Sequence, residues 1–215
     1  MEDALRNLSE HDLIELELIE TLRFTSGFGY TRLDLHLGRM ERSAAALHFP
    51  FQRRDALSRL EQVNGPGAHR VRLVLRHDGS LSLSSGPLQP NPDHWRVAIG
   101  KARLDAADPW LRHKTSRRAL YDQTRAELPD GVDEVLFCNR DGFLCEGTIT
   151  NIFVQRGGRL LTPPPSAGLL PGVLRQELLA SARATEADLW PIDLDNAEAI
   201  FVGNSLRGLI PARRV

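Results

Sequence analysis

The stretch LRHKTSRRALYD, Leu111 to Asp122, crowds Arg112, His113, Lys114, Arg117 and Arg118 together. Such a cluster either grips a polyanion or holds one amine among cations. A lysine ammonium titrates near 10.4 and is a poor nucleophile unless desolvation or neighbouring positive charge lowers that value, and the flanking arginines supply the charge. A second candidate is Glu146 in CEGTITN, bracketed by Cys145, Gly147 and Thr148 between two expected strands. A carboxylate partly buried there needs a cationic partner. The third is GLLPGVLR, Gly168 to Arg175, which passes through two glycines into a helix start. Unbonded backbone N–H groups at such a start form a ready phosphate site. Lysine, acid and helix start together suit pyridoxal phosphate: an amine for a Schiff base, a group that keeps the ring nitrogen protonated, and a cradle for the phosphate.

Each residue also has a plainer reading. Lys114 alone reads as a solvated helix start, Arg39 as the polar face of an amphipathic helix and Glu146 as a hairpin acid. Arg72 and Arg76 either line an exposed sheet face or receive a substrate carboxylate. Thr21 is a strand residue or a pocket hydroxyl. His36 and His113 read as structural or exposed, and Cys138 and Cys145 as packed thiols.

The chain as a whole narrows the choice. Its 215 residues carry 27 basic and 28 acidic side chains, so no overall field draws it to nucleic acid or an anionic membrane. Two cysteines are too few for a disulfide framework and lack the spacing of a zinc site; no metal is expected. The opening MEDALRNLSEHDL has no basic region followed by an apolar run, and no segment approaches the roughly 20 apolar residues of a membrane helix. A cytoplasmic protein is expected.

The elements that must position these groups follow from periodicity. Alternation over Leu13 to Phe24 predicts a half-buried strand. Leu37, Met40, Ala44 and Leu47 share one stripe, predicting a helix over Leu35 to Phe49 with Asp34 as N-cap; RDALSRLEQV predicts another. Arg70 to Arg76 alternates, with Val71, Leu73 and Leu75 on one face and Arg70, Arg72, Val74 and Arg76 on the other, and SLSLSS pairs with it as a hairpin. GPLQPNPD, with three prolines, marks a boundary between domains 1–88 and 92–215. Beyond it come a strand, WRVAIG, then a helix over Ser116 to Leu128. Short strands follow, with hairpin turns at Asp141-Gly142 and Gly157-Gly158, then a helix over Leu170 to Ala184 with Pro171 in its first turn, and a last strand, AIFVG.

Six stretches in this order, IETLR, HLGRMERSAAAL, HKTSRRALYD, EGTITNIF, LLTPPPSAGLLPGVLRQELL and FVGNSLRGLIP, resemble the class IV (fold-type IV) aminotransferases. That family includes branched-chain and D-amino acid aminotransferases and 4-amino-4-deoxychorismate lyase. The resemblance implies an α+β fold: a small α/β domain, then a larger strand-rich domain carrying the lysine, with the cofactor site between them. It places Lys114 at the coenzyme lysine and Glu146 at the acid facing the pyridine nitrogen. Arg39 falls at the phosphate arginine, Val173 and Leu174 at the amides capping the phosphate, and Ser205 at a hydroxyl near it. Asn204 and Arg207 in NSLRG resemble the lyase branch. Two departures stand out. ELELIETLR stands where an extra strand and a glycine-rich stretch usually lead, and Ala119 occupies the position of a tyrosine that touches the coenzyme, a role Tyr121 or Arg118 could take.

The expected activity is a pyridoxal-phosphate lyase of folate biosynthesis, converting 4-amino-4-deoxychorismate to 4-aminobenzoate and pyruvate. Lys114 and Thr21 are its catalytic candidates. Arg72, Arg76, Arg207 and Tyr121 are the substrate-binding candidates, and Asn204 joins the cofactor set. A homodimer is implied by the resemblance. The alternatives are an aminotransferase for branched-chain or D-amino acids and, in another class, a noncatalytic binder of anions or nucleic acid through the Arg112 to Arg118 run.

Overall fold

The computed structural model describes Ser9 and residues 14–215. Most of the opening stretch read for a signal, and Leu13 at the expected strand start, lie outside the described residues. The contacts divide the chain into two units, the first reaching to Gln89 and including His113–Arg117, the second made of Pro90–Arg112 and Arg118–Val215. No described helix is long and apolar enough to cross a membrane.

The first unit is built on one antiparallel sheet of β1 (Glu17–Thr25), β2 (Gly29–Tyr30), β3 (Ala68–Arg76) and β4 (Leu81–Pro87), in the order β2-β1-β3-β4. Because Leu22 faces Val71 and Leu18 faces Leu75 in register, the alternation seen in the sequence gives one continuous apolar face. Two helices, α1 (Leu33–Ala46) and α2 (Arg53–Leu60), bury Leu37, Met40, Ala44, Ala56 and Leu60. The expected cap of α1 is displaced. Arg32, in the left-handed region at φ 57°, occupies the N-cap, and Asp34 lies in the first turn, where its charge still complements the helix dipole.

The second unit contains β5 (Trp95–Leu104), β6 (Glu134–Asn139), β7 (Leu144–Gly147), β8 (Asn151–Arg156), β9 (Arg159–Thr162), β10 (Ala184–Glu186), β11 (Ala199–Asn204) and β12 (Gly208–Arg214), in the order β10-β9-β8-β11-β12-β5-β6-β7. A further β7–β8 pairing closes six of these strands on themselves. Its helices are α3 (Ala119–Ala126), α4 (Val173–Ala180) and α5 (Pro191–Asp195). Both faces of the ring are covered. Leu136, Cys138, Leu144, Ile152, Val154 and Val202 make one cluster. Phe137 and Cys145 pack with Leu169 and Tyr121, and Phe153 packs with Leu174 and Leu178. Burial on both sides is why VLFC in β6 reads as an unbroken apolar run.

Three elements are shorter than periodicity suggests. β1 begins at Glu17. α3 begins at Ala119 rather than Ser116, because Thr115 is taken into a bridge with Leu18. α4 runs only from Val173 to Ala180: Gly172 is its N-cap, so Pro171 precedes the helix, and Ala184 belongs to β10. β12, which follows NSLRG, went unread; it forms an antiparallel hairpin with β11 and also pairs in parallel with β5.

Candidate active site

In the first unit the segment carrying Lys114 is stitched to β1 as a short extra strand. Ile19 N–H donates to Lys114 O (2.8 Å), Ser116 N–H to Glu17 O (2.9 Å) and Glu17 N–H to Ser116 Oγ (2.9 Å). His113 Nδ1 lies 3.0 Å from Ser43 Oγ on α1, and burial lowers the His113 pKa below its ordinary value. These bonds fix the main chain at Lys114, so the freedom left to that residue is that of its side chain.

Beneath this strip lies a buried charge network. Glu20 is on the apolar face of β1, between Leu18 and Leu22, and is 1% exposed. Arg39 Nε donates to its Oε1 (2.8 Å) and Arg39 Nη2 to its Oε2 (2.7 Å), while His36 Nδ1 sits 2.5 Å from Oε2. Burial alone would raise the Glu20 pKa. The Arg39 guanidinium and the bonds from His36 and Arg39 outweigh it and bring the value down to about 2. With Nε and Nη2 given to Glu20, Nη1 is the end of Arg39 that could meet a phosphate.

The opposite face of the same sheet is cationic. Thr21 stands opposite Arg72, which stands opposite Ser84, and one step along Arg23 stands opposite Arg70, which stands opposite Gly86. Residues so placed have Cβ atoms about 5 Å apart. None of Arg23, Arg70 and Arg72 has a carboxylate partner among the described residues, whereas Arg76 at the strand end pairs with Glu17 at 3.4 Å. Like charges directly across a strand pair are unfavourable, so this face is suited to an anion.

In the second unit Glu146 on β7 is 6% exposed. Tyr121 Oη donates to its Oε1 (2.7 Å) and Leu170 N–H to its Oε2 (3.1 Å). The turn that follows is held by Glu134, whose buried carboxylate accepts from the N–H groups of Thr148 (3.0 Å) and Ile149 (3.2 Å) and from the hydroxyls of Thr148 and Thr150. Gly147 packs so closely that a Cβ there would come 2.5 Å from Thr150 Oγ1. Four donors on one carboxylate thus fix the chain between Glu146 and Asn151.

Asn151 Nδ2 donates to Leu170 O (3.0 Å), and a Cβ on Gly172 would come 1.9 Å from Asn151 Oδ1. The start of α4 therefore requires glycine. Gln176 N–H makes the first bond of this helix, to Gly172 O, and no side chain caps its start, so the Val173 and Leu174 N–H groups are offered outward. Gly203 lies against Leu174, bringing the turn after β11 beside this helix start. In that turn Asn204 Nδ2 donates to Ile149 O (3.2 Å) and its Oδ1 accepts from Arg207 N–H (3.0 Å), so its amide is spent on shaping the turn. Ser205 is buried. Arg207 Nη1 donates to Asn91 Oδ1 (2.9 Å).

The first unit therefore brings Lys114, Thr21, Arg39 and Arg72 together on and around one strand, and leaves Arg76 at its far end. The second collects Glu146, Tyr121, Val173, Leu174, Asn204 and Ser205. Sequence reasoning missed Glu20, which breaks the apolar parity of Leu18 and Leu22, and read His36 as structural or exposed, whereas it is buried against Glu20. It also missed Glu134 and Asn151, and the most economical signal for Lys114: the chain has two lysines, Lys101 and Lys114, among 27 basic residues, and Lys101 is exposed on β5.

Several known proteins are similar to this chain. The family profile described as Amino-transferase class IV matches residues 17–215. A Schizosaccharomyces pombe protein named "Putative aminodeoxychorismate lyase" is 28% identical over 81% of this chain and 80% of its own. A Synechocystis protein named "Probable branched-chain-amino-acid aminotransferase" is 31% identical over 86% of this chain and 69% of its own. A crystal structure from Mesorhizobium loti described as a "Putative amino-acid aminotransferase" superposes with a TM-score of 0.87 at 46% identity, covering 93% of this chain and all of that one. With its fold-type IV architecture and a profile match over nearly its whole length, the chain belongs to the class IV aminotransferase family of enzymes.

Proposed function

We propose that the chain is a pyridoxal-phosphate-dependent lyase that converts 4-amino-4-deoxychorismate to 4-aminobenzoate and pyruvate. The residues present fit the coenzyme. The uncapped start of α4, with Gly172 held against Asn151, suits a phosphate at the Val173 and Leu174 N–H groups, with Ser205 in the turn beside that helix start; in the first unit, Arg39 keeps the phosphate role that the resemblance implies. Glu146, with one donor on each carboxylate oxygen, suits a protonated ring nitrogen. When bound, the coenzyme supplies the electron sink for bond cleavage.

In this reading Lys114 Nζ would hold the coenzyme, and the same amine would move protons during turnover. It takes the proton from the ring carbon bearing the substrate amine as the C–O bond to the enolpyruvyl group breaks. The ring becomes aromatic, and the released enolpyruvate gains a proton to become pyruvate. Thr21, Arg72 and Ser84 hold one substrate carboxylate, and Arg23 with Arg70 accepts the second.

The observation that carries the lyase over other class IV reactions is the arginine face of β1 and β3, where Arg23, Arg70 and Arg72 have no carboxylate partner among the described residues, which suits a dicarboxylate better than an aliphatic side chain. A second reading, an aminotransferase, is favoured by the 46% identity to the Mesorhizobium loti structure. The two are separated by measuring pyruvate release from aminodeoxychorismate and amino transfer to 2-oxoglutarate in parallel. Turnover in the second assay alone overturns the lyase, and steeply salt-dependent oligonucleotide binding with neither activity would favour the polyanion reading of Arg112 to Arg118. A homodimer belongs to the same proposal, checked by light scattering.

A further inference from the structure

We propose that Tyr121 is a positioning residue for Glu146, holding its carboxylate ionised and in one orientation through a phenol-to-carboxylate hydrogen bond. The proposal rests on the reading that Glu146 faces the coenzyme ring nitrogen. It also gives Tyr121 a different task from touching coenzyme or substrate.

The geometry confines Tyr121 to this task. Its ring meets Phe137 edge to face, with centroids 5.2 Å apart at 73°, and Phe137 is fully buried. The Arg118 guanidinium stands over the ring, 5.7 Å from its centroid, and is itself held by Asp122 (2.6 Å) and by Thr148 O (3.1 Å). A ring held by Phe137 and by Arg118 delivers its hydroxyl to one place, Glu146 Oε1 at 2.7 Å. Leu170 N–H occupies Oε2, so the carboxylate has a donor on each oxygen and cannot swing without losing one.

The charges around the pair agree. Burial, the Glu146 carboxylate and its hydrogen bond push the Tyr121 pKa far above its ordinary value; Cys145 adds to this and Arg118 opposes it. Tyr121 therefore stays protonated and donates across the working pH range, which suits a support and not an acid or base. A hydrogen bond to the ionised form of a carboxyl favours that form, and an ionised Glu146 is what retention of a proton on a neighbouring pyridine nitrogen requires.

The test reads Glu146 without coenzyme. With glutamate labelled at the carboxyl carbon, the Glu146 signal in the apoprotein is identified by its disappearance in Glu146→Gln and titrated by carbon NMR. Tyr121→Phe should raise that carboxyl pKa by about one to two units, the shift for losing a hydrogen bond to a charged group, with the circular dichroism unchanged. An unchanged or lowered value overturns the proposal. Should Tyr121→Phe fail to fold, 3-fluorotyrosine labelling serves instead, since the chain has two tyrosines and Tyr30 donates to Leu60 O elsewhere. The Tyr121 fluorine resonance must then follow the Glu146 titration and lose that response in Glu146→Gln; a resonance indifferent to Glu146 overturns the proposal. The underlying reading fails separately: if Glu146→Gln binds pyridoxal phosphate with an unaltered spectrum, Glu146 does not face the ring, whatever Tyr121 does to it.

Discussion

Replacing Glu20 by glutamine removes one charge from a network in which every partner is buried. Arg39 loses an anionic acceptor on two of its nitrogens, and the new amide turns an NH2 group toward donors on Arg39 or His36. Removing one partner from a buried ion pair costs about 3 to 5 kcal/mol. The titration of Glu20 gives an independent figure. The carboxyl lies near 4.5 in the unfolded chain and about 2 in the folded one, so the folded environment stabilises its charged form by about 3 kcal/mol at pH 7. A depressed carboxyl contributes this above its unfolded pKa and loses it as the pH falls toward 2; about 2 kcal/mol is gone by pH 3. All three tryptophans, Trp95, Trp110 and Trp190, lie in the other unit, so fluorescence is blind to this site. Hydrogen exchange of peptides over β1 and α1 is the suitable assay. Glu20→Gln should lower their opening free energy by about 3 kcal/mol or more at pH 7, and the gap to the wild type should narrow by about 2 kcal/mol at pH 3. A loss below about 1 kcal/mol at pH 7, within the range of an exposed pair, or a gap that does not change with pH, would refute the reasoning.

Three further outcomes follow from the same geometry. Gly172→Ala pushes a methyl group against Asn151 Oδ1 and should weaken pyridoxal phosphate binding at least tenfold in equilibrium dialysis; unchanged affinity would remove the start of α4 from the phosphate site. Glu134→Gln leaves the turn after Glu146 one strong acceptor short and should cost about 3 kcal/mol in urea unfolding, read by Trp95 fluorescence. Arg72→Met should raise KM for aminodeoxychorismate at least tenfold, whereas Arg76→Met, whose partner Glu17 stands at the strand end, should change it less than twofold; equal effects would contradict the carboxylate assignment.

Much of this arrangement was legible in the residues. Alternation in Arg70 to Arg76 gave both the buried and the cationic face of β3, since a period of two leaves no third choice. The helical stripe of Leu37, Met40 and Ala44 was equally plain. What escaped depends on partners distant in sequence. The start of α3 was misplaced because Thr115 is claimed by Leu18, some hundred residues earlier, and the end of α4 because Ala184 is claimed by β9. Glu20 and Glu134 could be named from sequence only as polar residues in apolar company, and Tyr121 as a substrate or coenzyme contact; their roles emerge from which donors the folded chain brings to each carboxylate.

The claim on which the rest depends is that Lys114 is the amine joined to the coenzyme. Borohydride reduction of the protein loaded with pyridoxal phosphate, followed by peptide mass spectrometry, tests it directly, because Lys101 is the one other lysine in the sequence. The account predicts the phosphopyridoxyl mass on the peptide containing Lys114, and neither that mass nor the visible absorbance band in Lys114→Ala. Label on Lys101, or an unchanged band in Lys114→Ala, would contradict it.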